Sequence, residues 1–528
     1  MEDKKEQVTF VEDISDTVLT ESVNNTKQEV LTTSDGRSIV CPETGRYLSA
    51  TELYPHIDEK KLLRKMDIRI VPTLALLYLM SFLDRGNIGN ANIEGLSKDL
   101  GLTSQQYNMC LTVFFFTYCA FEVPSNWVMK KYLSPSTWLP TIMVAWGASM
   151  IGMGFVKNYA GLLVTRILLG ATEAGLFPGV AYFLTQWYCN QELQFRQALF
   201  FSAASVAGAF SGLLAFGIAK MDGVGGLEGW RWIFILEGIL TVLVACLAYY
   251  WLYDYPSTAK FLTAEEKAFV QHRLIYDSHV KGASVGGVQF VENTEVDRKY
   301  VKAAFLDWQL VFHIINFWGI GVPLYGISLF LPTILRGLGY SVNKSQLMTI
   351  PIYITASVLS VIQAWVSDRL GKRAPFIVLG FVLILIGMLM AICSNPATHP
   401  MVVYGGVYIT CAGIYPAFPG VIAWNANNQS GSYKRAIAMA IHIGVGNMSG
   451  AIAANIYRGK DAPRFILGHS VVIGFVCCGI ISSGLLMMFY KMANKRRDAE
   501  LNSGKYDNDS IDELIKLGDK SPYFRYRF

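Results

Sequence analysis

WVSDRLGKRAPFIVLGFVLILIGMLMAIC, residues 365–393, sets a basic, turn-forming stretch against twenty consecutive residues without a charge. A hydrocarbon layer about 30 Å thick takes about 20 apolar residues of helix. Residues 374–393 therefore read as one membrane crossing. Arg369, Lys372 and Arg373 mark the face from which it starts, because short cytoplasmic loops collect Lys and Arg. Working outward, similar runs are predicted at 68–92, 105–131, 137–156, 159–188, 196–220 and 230–253, and again at 308–334, 344–367, 399–425, 433–457 and 465–491. With 374–393 that makes twelve spans, so both termini share one side.

The same face recurs along the chain. Lys60, Lys61, Arg64 and Lys65 precede the first span, Lys131 follows the second, Lys434 and Arg435 precede the eleventh, and Lys491, Lys495, Arg496 and Arg497 close the twelfth. The opposite loops carry Lys98, Lys157 and Lys220 singly, with Arg458, Lys460 and Arg464 as the exception. The termini are expected to be cytoplasmic. The composition agrees: 52% of the 528 residues are hydrophobic and 16% are charged, where a soluble fold carries nearer a quarter. An ordinary globular enzyme is excluded, and a net charge of +5 spread over loops indicates orientation in a bilayer rather than nucleic acid binding. Most of the nine cysteines lie inside apolar runs and lack the spacing of a zinc or disulfide framework. No cleavable signal is visible near the start, so the first span is expected to direct insertion.

The expected organisation is an N-terminal tail (1–67), a six-helix half (68–253), a central cytoplasmic loop (254–307), a second six-helix half (308–491) and a C-terminal tail (492–528), with 1–55 and 498–528 disordered and solvated. Within the loop, TAEEKAFVQHRL at 263–274 predicts a short amphipathic helix, with Thr263 and Glu266 as a capping box. Two related halves with a site between them is a transporter layout. FSAASVAGAFSGLLAFG at 200–216 and GVGNMSGAIAAN at 444–455 are small-residue helices in matching positions, suited to close packing.

Ionised residues inside spans carry the functional reading, since each costs at least about 2.5–3.5 kcal/mol to insert. Asp84 and Arg85 lie in LDRGNIGNAN, and Arg166 and Glu173 in RILLGATEAGLFPG. Arg166 and Glu173 are seven residues apart, nearly two turns, and share a helix face. The four are expected to form one buried network. A guanidinium grips a carboxylate in a fixed fork, and a neighbouring acid released by that anion can take a proton. That is a route to proton–anion symport. The alternative is a static set of salt bridges that locks helices together. Glu122 and Glu237 are weaker candidates for gating or packing, and His313 and His442 for titration. Asn316, Tyr325, Trp424, Asn425 and Asn447 are candidate linings in the second half, while Phe114–Phe116 read as packing or lipid-facing.

WVSDRLGKR resembles the cytoplasmic loop signature G-x-x-x-D-R-x-G-R-R of the major facilitator superfamily, which implies gating roles for Asp368, Arg369 and Arg373. The first-half copy, EVPSNWVMKKYLSP at 122–135, departs from that signature, with Met129 where the acid is expected. LDRGNIGNANIEGLSKDLGLTSQQYN, FEVPSNWVMKK, RILLGATEAGLFPG and IYRGKDAPRF are similar to the fungal allantoate permease family of anion:cation symporters over about residues 60–500. LLRKMDIRIVP, LTVFFFTYC, QLMTIPIY and SPYFRYRF are most similar to those members that carry nicotinic acid. The resemblance implies proton-coupled uptake at a plasma membrane, with Asp84, Arg85, Arg166 and Glu173 in substrate binding and proton coupling. It implies protons as the coupling ion, no cofactor or metal, and function as a monomer. The first expected substrate is nicotinate or a related vitamin acid, with pantothenate, biotin, allantoate and tartrate as alternatives. Endoplasmic reticulum and vacuole remain alternative locations. Rival classes are a drug or metabolite exporter, a nutrient receptor without flux, and a membrane-embedded enzyme. Against the last, no nucleophile–base pair, HExxH or phosphate loop is present.

Overall fold

The computed structural model describes residue 37 and residues 48–279, 303–430, 432–503, 505–506, 514 and 517–528. Among the described residues all regular structure is helical. The first half comprises α1 (Glu59–Ile93), α2 (Ser104–Lys131), α3 (Pro135–Met153), α4 (Tyr159–Glu173, continued by Leu176–Thr185), α5 (Asn190–Ile218) and α6 (Gly229–Trp251). The second comprises α7 (Trp308–Gly337), α8 (Thr349–Leu370), α9 (Ala374–Cys393), α10 (Pro400–Asn427), α11 (Ser432–Asn447, continued by Ser449–Ile456) and α12 (Ile466–Asn502). Ten have the length and hydropathy to cross a membrane; α2 and α3 fall outside that set. The chain is an all-α polytopic membrane protein.

The helices overrun the expected spans at both ends of the chain. The first starts at Glu59 rather than 68, because Asp58 accepts the N–H groups of Lys60 (3.0 Å) and Lys61 (3.3 Å) and supplies a cap in water. Residues expected in a solvated tail also form structure. Ser49 and Glu52 exchange the bonds of a capping box and open the short helix Ala50–Leu53. Tyr54 behind it is fully buried, 6.0 Å from the Phe269 ring. Phe269 lies on the central-loop helix Ala264–His279, where Thr263 and Glu266 form the capping box read from the sequence.

At the other end α12 runs to Asn502, into the expected 492–528 tail. Residues 517–528 then fold back beneath the second half. Lys434 reaches both Asp307 (2.7 Å) and Asp519 (2.8 Å), and Tyr526 stacks on Tyr490 at 4.5 Å. Trp424 and Asn428 donate to the Arg527 carbonyl (2.9 and 3.0 Å). A polar, charged composition suggested solvation here, but the aromatic residues of SPYFRYRF supply apolar area to bury.

Each half packs chiefly on itself, with α1 on α5, α2 on α4 and α3 on α6, then α7 on α12 and α9 on α10. The halves meet where α5 lies along α8, α2 along α11 and α1 along α7. Glycines permit this closeness. A Cβ on Gly89 would stand 2.5 Å from the Leu329 carbonyl oxygen, and one on Gly212 2.6 Å from that of Gln346. At the end of the bundle away from the termini, hydrogen bonds join the halves. Arg336 donates to the Ile93 carbonyl (2.6 Å), Gln346 to Glu94 (2.9 Å) and Asn455 to Thr112 (2.7 Å).

Candidate functional site

Arg85 on α1 and Glu173 at the end of the first segment of α4 meet deep between the halves. The Arg85 Nη2 donates to Glu173 Oε1 at 2.5 Å, and both side chains are buried. Ser81, one turn before Arg85, donates to the same oxygen at 2.6 Å. Glu173 Oε2 has no protein partner. Aromatic faces surround the guanidinium: Phe82 at 5.0 Å, Tyr118 at 5.3 Å, Phe114 at 5.5 Å and Tyr325 at 5.9 Å. These contacts replace water around the cation. The cavity they border reaches Tyr78, Phe201, Phe317 and Phe418, so both halves supply wall. The space they leave is small, with room for about one water. Little larger than a water fits there while the halves are in contact.

The four ionised residues do not form one network. Asp84 turns away from Arg85 and accepts from Trp146 Nε1 and Thr241 Oγ1, both at 2.9 Å, between α3 and α6. Adjacent helix positions point about 100° apart, so Asp84 and Arg85 cannot face one partner. Arg166 shares a face with Glu173 but does not pair with it. Its Nε donates to the Cys110 carbonyl (3.3 Å), its two terminal nitrogens have no partner, and Phe114 lies 5.0 Å from its guanidinium. Phe114 therefore packs in the core between the two arginines, in line with its expected packing role. Phe116 does face outward.

Of the second-half candidates, Tyr325 and Asn447 line the cavity and bond to one another at 2.7 Å. Asn316, Trp424 and Asn425 are buried in the second half away from it. Asn316 accepts from Ser483 (3.0 Å), Trp424 serves the folded-back tail, and Asn425 donates to Met439 Sδ (3.5 Å). Asn316 is nine residues before Tyr325, two and a half turns, which puts it on the opposite face of α7. His313 and His442 also belong to this interior, His313 with Tyr490 (3.0 Å) and His442 with the His313 carbonyl (3.0 Å). In the last turns of α8, Asp368 pairs with Arg373 at the start of α9, and Arg369 lies over the Trp365 ring at 3.9 Å. The Arg373 N–H donates to the Phe528 carbonyl oxygen at 2.7 Å. The α8–α9 turn is thus held within its own half.

Sequence reasoning passed over Ser81, Tyr78 and Phe82. Their spacing from Arg85 (four, seven and three residues) places all of them on one face of α1, a signal that was available. It also missed the polar line in which Glu237 accepts from Asn87 (2.6 Å) and Asn90 donates to Ser211 (2.7 Å).

Residues 74–454 match the Major Facilitator Superfamily. The chain belongs to this superfamily. Among similar curated proteins is the MFS-type transporter cnsO of Penicillium expansum, 35% identical over 510 residues that cover 95% of this chain and 96% of that protein. Another is the high-affinity nicotinic acid transporter of Saccharomyces cerevisiae, 33% identical over 534 residues covering 100% of this chain and 95% of that one. Among solved structures, the proton:xylose symporter XylE aligns with a TM-score of 0.61 at 13% identity, over 79% of this chain and 95% of that one. A bacterial homologue of the human lysosomal transporter Spinster, inward-facing and unoccupied, gives 0.59 at 13%, over 81% and 96%. At that identity these two speak to the fold alone.

Proposed function

We propose that the protein is a proton-coupled importer of a small organic monocarboxylate, a member of the allantoate permease (anion:cation symporter) family, and that nicotinate is the first substrate to test. The observation that carries this is the buried Arg85–Glu173 pair in an aromatic wall contributed by both halves. In the empty site Glu173 holds Arg85. A substrate carboxylate takes the guanidinium, and Glu173, left without its counter-charge in a dry site, takes a proton. Substrate and proton then travel together when the halves rock. The aromatic faces suit a planar ring, which favours nicotinate over allantoate or tartrate. Arg166, behind Phe114, keeps the local potential positive without touching the cavity, and Asp84 steadies α1 against α3 and α6. The termini lie in the cytoplasm, the membrane is the plasma membrane, the working unit is a monomer, and the proton is the coupling ion. The nicotinic acid transporter of yeast, similar along the whole chain, supports this choice of substrate.

The test is uptake of labelled nicotinate by cells lacking their own permease, at about pH 5 and about pH 7.5, values above the ordinary carboxylate range, with and without a protonophore. Accumulation stimulated by acid and abolished by the protonophore is expected. Surface-localised protein with no uptake at either pH would remove nicotinate and send the assay to pantothenate and biotin, while net efflux would establish an exporter.

A further inference from the structure

Glu122 on α2 is a second buried acid that the Arg85 site does not use. It lies on the seam between the halves, toward the termini from Phe114 and Phe115, and is 3% exposed. Asn447 of α11 is the polar side chain set against its carboxylate. Across the seam stands Gly444 of α11, where a Cβ would lie 3.8 Å from Glu122 Oε2. One turn back on α2, the Cys119 thiol donates to the Gly444 carbonyl at 3.1 Å, so the seam is shut at this level. Asn447, beside Glu122, accepts from the Tyr325 hydroxyl (2.7 Å), and Tyr325 borders Arg85. The titratable groups facing Glu122 are Tyr118 and Cys119 on α2 and Tyr325 on α7. On the other flank of α2, the acid of α4, Glu173, is turned to Arg85. Among the described residues no cation pairs with Glu122.

A carboxylate shut away from water without a counter-charge favours the form with its proton on; wetted, it ionises. Closing the α2–α11 seam buries Glu122 and opening it wets the group. We infer that Glu122 is the release point of the coupled proton: it holds a proton while the seam is shut and gives it to water on the terminus side when α2 and α11 part. The ionised form then holds the seam open until a proton returns, which ties closure to protonation. Asn447 and Tyr325 join this step to the occupancy of the Arg85 site. The inference rests on the proton-coupled reading above, but its readout needs no substrate.

The full chain, with Cys119 as its one remaining cysteine, is reconstituted in liposomes and the rate of maleimide labelling is measured at about pH 5.5 and about pH 7.5. Rates are divided by those of the detergent-unfolded protein, which removes the pH dependence common to any free thiol. Normalised labelling of Cys119 is expected to rise about tenfold with pH, the effect of about one unit of linkage, and to stay low and flat in Glu122→Gln. Glu122→Asp keeps an acid at the position and should keep the rise. The same rise in Glu122→Gln, or no rise in the parent protein, overturns the inference whatever is found for nicotinate. Conversely, failed nicotinate uptake beside an intact Glu122-dependent rise removes the substrate and leaves the proton gate.

Discussion

Removing one partner of the Arg85–Glu173 pair should have unequal consequences according to which is removed. In Arg85→Gln, Glu173 keeps the Ser81 hydrogen bond but loses its counter-charge in a site where it is 1% exposed. Breaking a buried pair this way typically costs about 3–5 kcal/mol. In Glu173→Gln, Arg85 is left among four aromatic faces at 5.0–5.9 Å, each worth about 0.5–2 kcal/mol to a cation. The cost should fall to about half. In the double variant no charge is stranded, and much of the Arg85→Gln loss should return. Thermal unfolding in detergent should therefore rank wild type above Glu173→Gln and Glu173→Gln above Arg85→Gln, with the double variant at or above Arg85→Gln. Binding should separate them further: Glu173→Gln has a free guanidinium, so its affinity for the carboxylate is expected to be at least wild-type near neutrality and to lose its dependence on pH. Equal, additive losses from the two single variants would refute the reasoning, because independent sites add and a stranded charge does not.

Three other outcomes follow from the geometry. Gly89→Ala drives a methyl group into the Leu329 carbonyl, an overpacking of about 1–3 kcal/mol, and should favour the conformation parted at that end, read as faster labelling of a cysteine placed at Asn90. Lys434→Ala leaves Asp307 and Asp519 facing each other, and limited proteolysis should then cut within 517–528 sooner; burial opposes the lysine's charge, but Asp519 and Asp307 outweigh it and raise its pKa, so the clasp holds throughout the neutral range. The central-loop helix should undock in acid. Burial pushes His272 below its ordinary 6.5, favouring the neutral ring, so its contribution is full above that value and is lost as pH falls. For Glu266 burial acts upward, yet Lys65 and Thr263 hold it below its ordinary 4.5, and its contribution likewise disappears in more acidic solution. Hydrogen exchange over 264–279 should rise in that order, and faster exchange at alkaline pH after correction for intrinsic rates would contradict the sign.

The fold was legible because its main signal is additive: twenty uncharged residues such as 374–393 mean a crossing whatever surrounds them. The capping box at Thr263 and Glu266 was legible because it is local. Helix ends were less so, since residues 59–67 are helical in water and only the Asp58 cap marks their start. In the site, the insertion cost singled out Arg85 and Glu173 without saying which partner each would choose. The separation of Asp84 from Arg85, and of Arg166 from Glu173, depends on helix rotation relative to neighbours that no single segment encodes. The folded-back tail was missed for a similar reason. Its aromatic residues look solvated until Tyr490, Trp424 and Lys434 are brought beneath them from three different helices.

The ion pairs named above all fall inside one half or within its own clasp. Lys65–Glu266 and Arg273–Glu192 bind the central-loop helix to the first half, while Lys434 with Asp307 and Asp519 binds the tail to the second. What passes between the halves is glycine against carbonyl, aromatic ring against aromatic ring, and hydrogen bonds in which a charged group such as Arg336 or Glu94 meets a neutral partner. None of these ion pairs crosses between the halves, so added salt should loosen the two clasps before it loosens the seam.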